Sequence, residues 1–311
     1  MNELALLVPA VAMLLDLALG DPKRLPHPVR GIGKVLDRIE QFVRARGWPL
    51  GWAGLGAVLA VAGGSALTAW LACRIPLLGP LLALYLAFAG LGLGCLVREG
   101  RSVAKLIDRG EIEAARAALA LLVTRDTSNL DVPSLRRTLA ETVSENLNDA
   151  FVAPFLYLAL FGPAGLWAYK AVSTMDSMWG YRTERFARLG HAAAKADDVL
   201  AWPTARLTAL LMVLAGMLLG LDWRAAFRRT PGDARKMESP NAGWPMSAAA
   251  WLFGAGIGGP AVYFGELKDK PRLGPDGEWG RREIRLLLRL GVMVGLLCAG
   301  VYVGVVVWVA G

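Results

Sequence analysis

Residues 125–165, RDTSNLDVPSLRRTLAETVSENLNDAFVAPFLYLALFGPAG, pass from a polar segment directly into a strongly apolar one. Asp131 and Pro133 are start signals for a helix, because an aspartate oxygen caps free amides and proline fixes φ in the first turn. The apolar part begins at Phe151. This stretch therefore predicts a polar helix at a membrane or core boundary.

Three carboxylates lie on the predicted helix. At 3.6 residues per turn, Glu141, Glu145 and Asp149 fall on one face. Like charges at that spacing cost an isolated helix a few tenths of a kcal/mol per pair. The pattern favours a cation, an amine or arginines opposite the face, and the alternative is a solvated acidic surface.

The composition is that of a membrane protein. Of the 311 residues, 55% are hydrophobic and 19% are charged, whereas about 25% are charged in soluble domains. The net charge is +8, but the basic residues lie between apolar segments and no basic-aromatic module accompanies them, so we expect no nucleic-acid partner. Cys73, Cys95 and Cys298 are isolated in apolar stretches, which predicts small core residues rather than disulfides or metal ligands.

Four apolar runs are predicted to cross the membrane. They are a short first span at residues 4–19, read as a span rather than a removed signal peptide, a hairpin at 51–72 and 76–97, and a final span at 287–309. Basic residues are dense in the loops that follow the first span and the hairpin, so these loops are predicted to be cytoplasmic and the N-terminus external.

Three further apolar runs are separated by loops that are all basic, which simple crossings would place on both sides of the membrane. The runs are residues 150–172, 199–221 and 248–264. The first is broken by Gly162 and Pro163, and we expect re-entrant or partly embedded segments. The predicted fold is all-α, a polytopic membrane protein with interrupted or re-entrant helices and helical cytoplasmic loops, in one domain of residues 1–311.

The polar loops hold the candidate chemistry. Arg182, Arg185 and Arg188 recur every three residues, which predicts a basic helical stripe that clamps phosphates, with a solvated or lipid-headgroup face as the alternative. Asp197 and Asp198 lie near basic residues, the combination that a Mg²⁺-nucleotide site requires. His27 and His191 are far apart in the sequence, so zinc is not expected.

Six motifs occur in order between about residues 15 and 265. They are Gly20-Asp21-Pro22 with His27-Pro28-Val29, Arg125-Asp126-Thr127, Glu141 with Glu145-Asn146 and Asp149, Thr174, Asp176 and Met178 with Gly180-Tyr181-Arg182, Asp197-Asp198 with Arg206-Leu207-Thr208, and Ser239-Pro240-Asn241-Ala242-Gly243. Together they resemble the adenosylcobinamide-phosphate synthase family, integral-membrane enzymes of cobalamin biosynthesis. The chain departs from the family pattern at Ser173, at Lys195 and in the spacing from Pro203 to Arg206.

The resemblance implies an ATP-dependent amide ligation. The substrates are adenosylcobyric acid, 1-amino-2-propanol phosphate and ATP, and Mg²⁺ accompanies the nucleotide, with no structural metal. Membrane lipid is a further partner, and a homo-oligomer is possible. The resemblance places the protein in the bacterial inner membrane with its active-site loops facing the cytoplasm. The competing interpretation is a membrane transporter or sensor for a corrinoid or another amphipathic solute.

The resemblance also assigns roles to named residues. The catalytic candidates are Glu141, Glu145, Asp149 and Asp176. The candidates for binding substrate or nucleotide are His27, Arg30, Arg125, Asp126, Asn146, Arg182, Arg185, Lys195, Arg206 and Asn241. The candidate metal ligands are Asp197 and Asp198.

Overall fold

The computed structural model describes residues 6–21, 27–181, 183–263 and 265–310. Helices dominate the described residues, with short strands near the C-terminus. In chain order the helices are α1 Val8–Leu19, α2 Pro28–Ala45, α3 Leu50–Ala72, α4 Gly79–Gly90, α5 Leu93–Asp108, α6 Ile112–Ala120, α7 Val132–Asn146, α8 Ala153–Trp179, α9 His191–Leu218, α10 Trp223–Ala234, α11 Gly243–Phe253 and α12 Arg281–Ala310. A π-helical turn, Leu147–Val152, joins α7 to α8.

Among the described residues, five helical segments are long and apolar enough to cross a membrane. They are Leu50–Ala72, Gly79–Asp108, Val132–Trp179, His191–Leu218 and Arg281–Val309. The prediction of an all-α polytopic chain is confirmed. The predicted first span is represented by α1, which at 12 residues is shorter than the roughly 20 that a crossing requires.

The expected break in the first re-entrant candidate is present. Gly162 interrupts α8 with φ of 66°, and Pro163 follows it inside the helix. Residues 199–221 differ from the expectation, because α9 continues through Pro203 to Leu218 as one helix of crossing length. In the third candidate, 248–264, the helix ends at Phe253, and short strands follow it.

The strands form two small antiparallel ribbons that the sequence did not predict. β1 (Ile257–Gly258) pairs with β4 (Arg272–Leu273). β2 (Ala261–Tyr263) pairs with β3 (Glu266–Lys268), and Arg125 forms an isolated bridge with Tyr263. We call residues 254–280 the ribbon segment.

The chain divides into two compact units, each assembled from distant segments. Unit 1 comprises residues 1–92, 153–201 and 299–311, and unit 2 comprises 93–152 and 202–298. The prediction of one domain for residues 1–311 stays a prediction.

In unit 1, α8 packs against α2, α3 and α4. Its side chains Leu158, Leu166 and Trp179 are almost fully buried. Close backbone approaches fix the packing, since a Cβ at Gly190 would collide with the Trp179 carbonyl oxygen. These contacts hold the turns between α8 and α9 against the helical core.

In unit 2, α7 packs against α5, α6, α11 and β1. Leu135 and Leu139 on α7 and Leu119 on α6 are fully buried. The polar helix α7 is therefore a central element of this unit, and its Glu141 side chain is buried rather than exposed to solvent.

Candidate active site

The acidic helix α7 begins where the sequence predicted. Asp131 is its N-cap, and Asp131 Oδ1 accepts a hydrogen bond from the Ser134 amide at 2.9 Å. Asp126, just upstream, accepts from the Ser128 amide at 2.8 Å. That hydrogen bond is the main cause that lowers the pKa of the exposed Asp126 carboxyl. Both aspartates therefore organise the chain that leads into α7.

Glu141 is buried and uses both carboxylate oxygens. Arg125 donates to Glu141 Oε2 in an ion pair whose side chains are 11% and 4% exposed. The Gly258 amide donates to Glu141 Oε1 at 2.8 Å. Burial lowers the pKa of Arg125, but the charge of Glu141 and then the neighbouring Tyr263 raise it, and the net shift is upward. Glu141 thus joins α7 to the loop at Arg125 and to the ribbon segment.

Glu145, one turn further along α7, differs from Glu141. It is half-buried, and no hydrogen bond or ion pair joins its side chain to another described residue. Four charged neighbours act on it electrostatically: Asp149, Lys270, Glu141 and Arg125. The structure therefore brings the three predicted carboxylates together, with two cations beside them.

The π-helical turn holds Asp149 in place. Asn148 Nδ2 donates to Asp149 Oδ1 at 2.6 Å, and the Thr208 hydroxyl lies 3.0 Å from Asn148 Oδ1. π-turns inside α-helices occur often at functional sites, because they alter the direction of the side chains that follow. Asn146 Nδ2 bonds back to the Thr142 carbonyl at 2.9 Å, so its amide nitrogen is engaged within the helix.

Sequence reasoning did not single out two side chains of the ribbon segment, Lys270 and Tyr263. Lys270 acts on Glu145, and its ammonium nitrogen lies 4.5 Å from the centre of the Tyr263 ring. Asp126 is tied to the same ribbon, since its amide donates to the Val262 carbonyl at 2.8 Å. The sequence carries no signal for this association, because the ribbon segment is more than 100 positions away from α7.

Arg206 and Asn241, which come from two different sequence motifs, are in contact in unit 2. Arg206 Nη1 donates to Asn241 Oδ1 at 3.2 Å, and Nη2 donates to the Pro240 carbonyl at 3.3 Å. The guanidinium also lies over the Trp202 and Trp244 rings, at 4.2 and 4.6 Å from their centres. This arrangement fixes the orientation of a planar cation that can bind phosphate.

In unit 1, His27 caps α2 and is near charged groups. His27 Nδ1 accepts from the Val29 amide at 3.3 Å, and Nε2 lies 3.7 Å from Asp21 Oδ2. Burial lowers the pKa of His27, Asp21 opposes that shift, and the charges of Lys170 and Arg30 add to it, so the net pKa lies below 6.5. His27 is therefore mainly neutral at pH 7 and can act as a hydrogen-bonding group.

The prediction that Arg182, Arg185 and Arg188 form a stripe on one helix is wrong. Residues 183–190 form successive turns, because α8 ends at Trp179 and Gly190 folds closely onto it. Arg182 lies outside the described residues. Arg185 donates to both oxygens of Glu40, at 2.8 and 3.0 Å, and Arg44 shares that carboxylate at 2.8 Å. Arg185 is thus anchored to α2.

The remaining predicted residues lie on α8 and α9. Asp176 is next to Gly180, where an added Cβ would collide with the Asp176 carboxylate. Lys195 Nζ is 3.3 Å from Asp198 Oδ2. Asp197 and Asp198 are adjacent on a helix, so their side chains point in different directions. Among the described residues, no three His, Cys, Asp or Glu side chains form a group that could hold a metal ion.

Comparison with known proteins gives consistent matches along the chain. A protein-family model described as CobD/Cbib protein matches residues 9–291. A protein named Cobalamin biosynthesis protein CobD from Geobacter metallireducens is 40% identical over 298 residues, covering 93% of this chain and 94% of that protein. Proteins of the same name are 41% identical in Pelobacter propionicus, covering 89% of each chain, and 35% identical in Klebsiella pneumoniae, covering 99% of each. No solved structure matches this chain significantly.

Proposed function

Because this chain belongs to the CobD/Cbib protein family, we propose that it joins the propionate carboxylate of adenosylcobyric acid to the amine of 1-amino-2-propanol phosphate. ATP is the co-substrate, and adenosylcobinamide phosphate, ADP and phosphate are the products. The names of the relatives support a role in cobalamin biosynthesis. The ligase reaction itself is our proposal, made from the resemblance and from the residues of the site.

The chemistry requires two steps. The substrate carboxylate attacks the γ-phosphorus of ATP, and the bond to ADP breaks, which gives an acyl phosphate. The amine then attacks the acyl carbon, phosphate leaves, and the nitrogen loses a proton to form the amide. A carboxylate is a poor electrophile, so phosphorylation supplies the leaving group. The protein must supply cations for the transferred phosphoryl group and a base for the ammonium.

The carboxylate cluster of unit 2 is the observation that carries this proposal. The Glu145 side chain lies among Glu141, Asp149, Arg125 and Lys270, and it has no hydrogen-bond or ion-pair partner among the described residues. An acid with free lone pairs beside two cations can accept a proton from an ammonium group while the cations attract phosphate oxygens. Few purely structural carboxylates in a packed helix remain without such partners.

The contacts separate the roles of the two glutamates. Glu141 is committed to Arg125 and to Gly258, so we assign it to positioning. Glu145 is assigned as the base or as a ligand of the nucleotide-bound cation, together with Asp149. Arg206 is assigned to substrate phosphate, because its tryptophan and asparagine neighbours hold the guanidinium in one orientation. Asn241, His27 and Arg30 are assigned to orienting the corrinoid or the phosphates.

The donor set fits Mg²⁺ that is shared with ATP. Mg²⁺ is usually held by one or two carboxylates, with the other positions filled by phosphate oxygens and water. Glu145 with Asp149 supplies such a pair, whereas Asp198 pairs with Lys195. Asp197 and Asp198 remain predicted ligands. An ion bound by Glu145 and Asp149 would neutralise charge on the phosphoryl group during transfer.

We also place the protein in the inner membrane of a bacterium, with its basic loops on the cytoplasmic side. The five apolar helical segments and the basic residues between them support this placement. ATP and phosphorylated aminopropanol would then reach the site from the cytoplasm.

The experiment is a ligation assay on purified full-length protein in detergent. Adenosylcobyric acid, 1-amino-2-propanol phosphate, ATP and Mg²⁺ are supplied, the corrinoid product is followed by mass, and ADP is measured in parallel. The wild-type protein should form the amide with one ADP per product. Glu145→Gln should lower the rate by at least about a hundredfold, the range for loss of an acid–base group.

The matched control is Glu113→Gln, whose side chain is 84% exposed on α6. It should ligate at the wild-type rate. Near-normal ligation by folded Glu145→Gln would remove Glu145 from the mechanism. Absence of both product and ADP with folded wild-type protein would contradict the proposed reaction.

A further inference from the structure

Two helices of unit 2 each carry a row of cations at four-residue spacing. Arg101 and Lys105 lie on one face at the C-terminal end of α5, and Arg109 comes directly after its last residue. Arg281, Arg285 and Arg289 follow one face at the N-terminal end of α12. Residues four apart are neighbours on a helix surface, so each row is continuous. None of these six residues belongs to the site described above.

The two rows line a single cavity of about 520 Å³. The six cations are exposed, and the cavity wall is completed by Asp108, Ala104 and Leu288. Six positive charges thus surround the space with one carboxylate among them. We call this cavity the cationic pocket.

Asp108 organises the pocket without neutralising it. Its side chain is 11% exposed and lies 2.6 Å from Arg281 Nε, 3.3 Å from Arg136 Nη2 and 3.5 Å from Arg285 Nη2. No ion pair joins Arg101, Lys105 or Arg289 to a carboxylate in the described part of the chain. Like charges placed together at exposed positions repel, so the arrangement is relieved when an anion enters.

The position of the pocket along the helices indicates which anion. Both helices belong to segments that are long and apolar enough to cross a membrane, and the cations lie where the apolar parts of these segments begin or end. Further along α12, Leu296 is 46% exposed, which offers an apolar surface for hydrocarbon chains. Basic pockets between helices at a membrane surface bind the phosphates of anionic lipids.

We propose that the cationic pocket binds the phosphate groups of an anionic phospholipid headgroup. The chemistry that it recognises is a phosphate ester, and a lipid with two phosphodiester groups matches the two cationic rows best. A soluble polyphosphate shares this chemistry but lacks the chains that the apolar surface of α12 would cover. The proposal does not depend on the ligase reaction.

The test measures lipid binding to the full-length protein in detergent micelles, by native mass spectrometry. The probes are cardiolipin, with two phosphodiesters, and phosphatidylcholine, which has no net charge. The triple variant Arg101→Gln, Lys105→Gln and Arg289→Gln removes the three cations without an ion-pair partner. The matched control, Arg224→Gln, Arg228→Gln and Arg235→Gln, removes three exposed cations on or next to α10.

The wild-type protein should retain cardiolipin in preference to phosphatidylcholine. The pocket variant should bind cardiolipin about a hundredfold more weakly, because it lacks three basic residues that attract anionic lipid. The control should bind like the wild type, and both variants should keep the wild-type melting temperature. Equal cardiolipin affinity of the pocket variant and wild type would overturn the proposal. Displacement of cardiolipin by micromolar pyrophosphate would overturn it in favour of a soluble phosphate ligand.

Discussion

The Glu141 carboxylate accepts a hydrogen bond from the Gly258 amide, although 117 positions separate the two residues in the sequence. Its other oxygen accepts a hydrogen bond from the Arg125 guanidinium, and the Arg125 backbone forms a bridge with Tyr263 in the same ribbon segment. One buried carboxylate therefore fixes the ribbon segment, with Lys270 on it, against the helix that carries Glu145. The site of unit 2 depends on this connection.

Removing the Glu141 carboxylate should lower the thermal stability of the protein. Glu141→Met leaves the guanidinium of Arg125 buried without its partner, and breaking a buried pair in this way costs about 3–5 kcal/mol. Arg125→Met combined with Glu141→Met should recover much of the loss, because neither charge remains. Melting temperature in detergent, measured for both single variants and the pair, checks this. Additive losses in the double variant would show that the two charges are not coupled.

Acid should weaken unit 1 through Glu40. Its pKa lies below 4.5 because the hydrogen bonds from Arg185, and then from Arg44, outweigh the opposing effect of burial. The folded pKa is thus lower than the unfolded one, so the stabilisation is complete above about pH 4.5 and is lost as pH falls through the folded value. Glu40→Gln should cost about 2 kcal/mol at pH 7, the range for hydrogen bonds to a charged group.

The measurement is melting temperature between pH 7 and pH 3 for wild type and Glu40→Gln. The difference between the two proteins should shrink as the pH falls. The exposed Glu113→Gln serves as the control and should follow the wild type throughout. A difference that stays constant down to pH 3 would mean that the carboxylate of Glu40 does not provide the stabilisation.

Arg206 should act through the shape of its guanidinium rather than through charge alone. Lysine keeps the charge but cannot stack between Trp202 and Trp244 or donate in a fixed plane. Arg206→Lys should therefore raise the KM for a phosphorylated substrate about tenfold, the weight of one charge-assisted hydrogen bond, with a smaller change in kcat. Steady-state kinetics with each substrate varied in turn identifies which phosphate is affected.

The control for Arg206 is Arg224→Lys. Arg224 is exposed and lies over Trp223, with its guanidinium 5.1 Å from the ring, so the same substitution removes a similar stack outside the site. It should leave every KM unchanged. An unchanged KM for all three substrates in Arg206→Lys would assign Arg206 to structure only.

Local rules predicted the parts of the fold that short stretches determine. The start of α7 at Asp131 follows from its capping oxygen, and the break in α8 follows from Gly162 and Pro163. Arg182, Arg185 and Arg188 were predicted to share a helix because of their spacing, but spacing does not report that Gly190 folds back onto Trp179. Tertiary packing decided that segment.

Only part of the site could be predicted from the sequence. Their spacing predicted that Glu141, Glu145 and Asp149 share one helical face, and the structure places them close together. The spacing could not distinguish a positioning glutamate from an uncommitted one, because Gly258 and Lys270 come from a segment with no helical period and no motif. The π-helical turn at Leu147–Val152 was likewise outside any pattern used.

The most direct measurement follows oxygen through the proposed reaction. Adenosylcobyric acid labelled with ¹⁸O in its free carboxylate is incubated with the protein, ATP, Mg²⁺ and 1-amino-2-propanol phosphate, and the phosphate and corrinoid products are analysed by mass spectrometry. An acyl phosphate intermediate predicts one ¹⁸O transferred to inorganic phosphate for each amide and each ADP formed. Unlabelled phosphate, or amide formed without ADP, would contradict it.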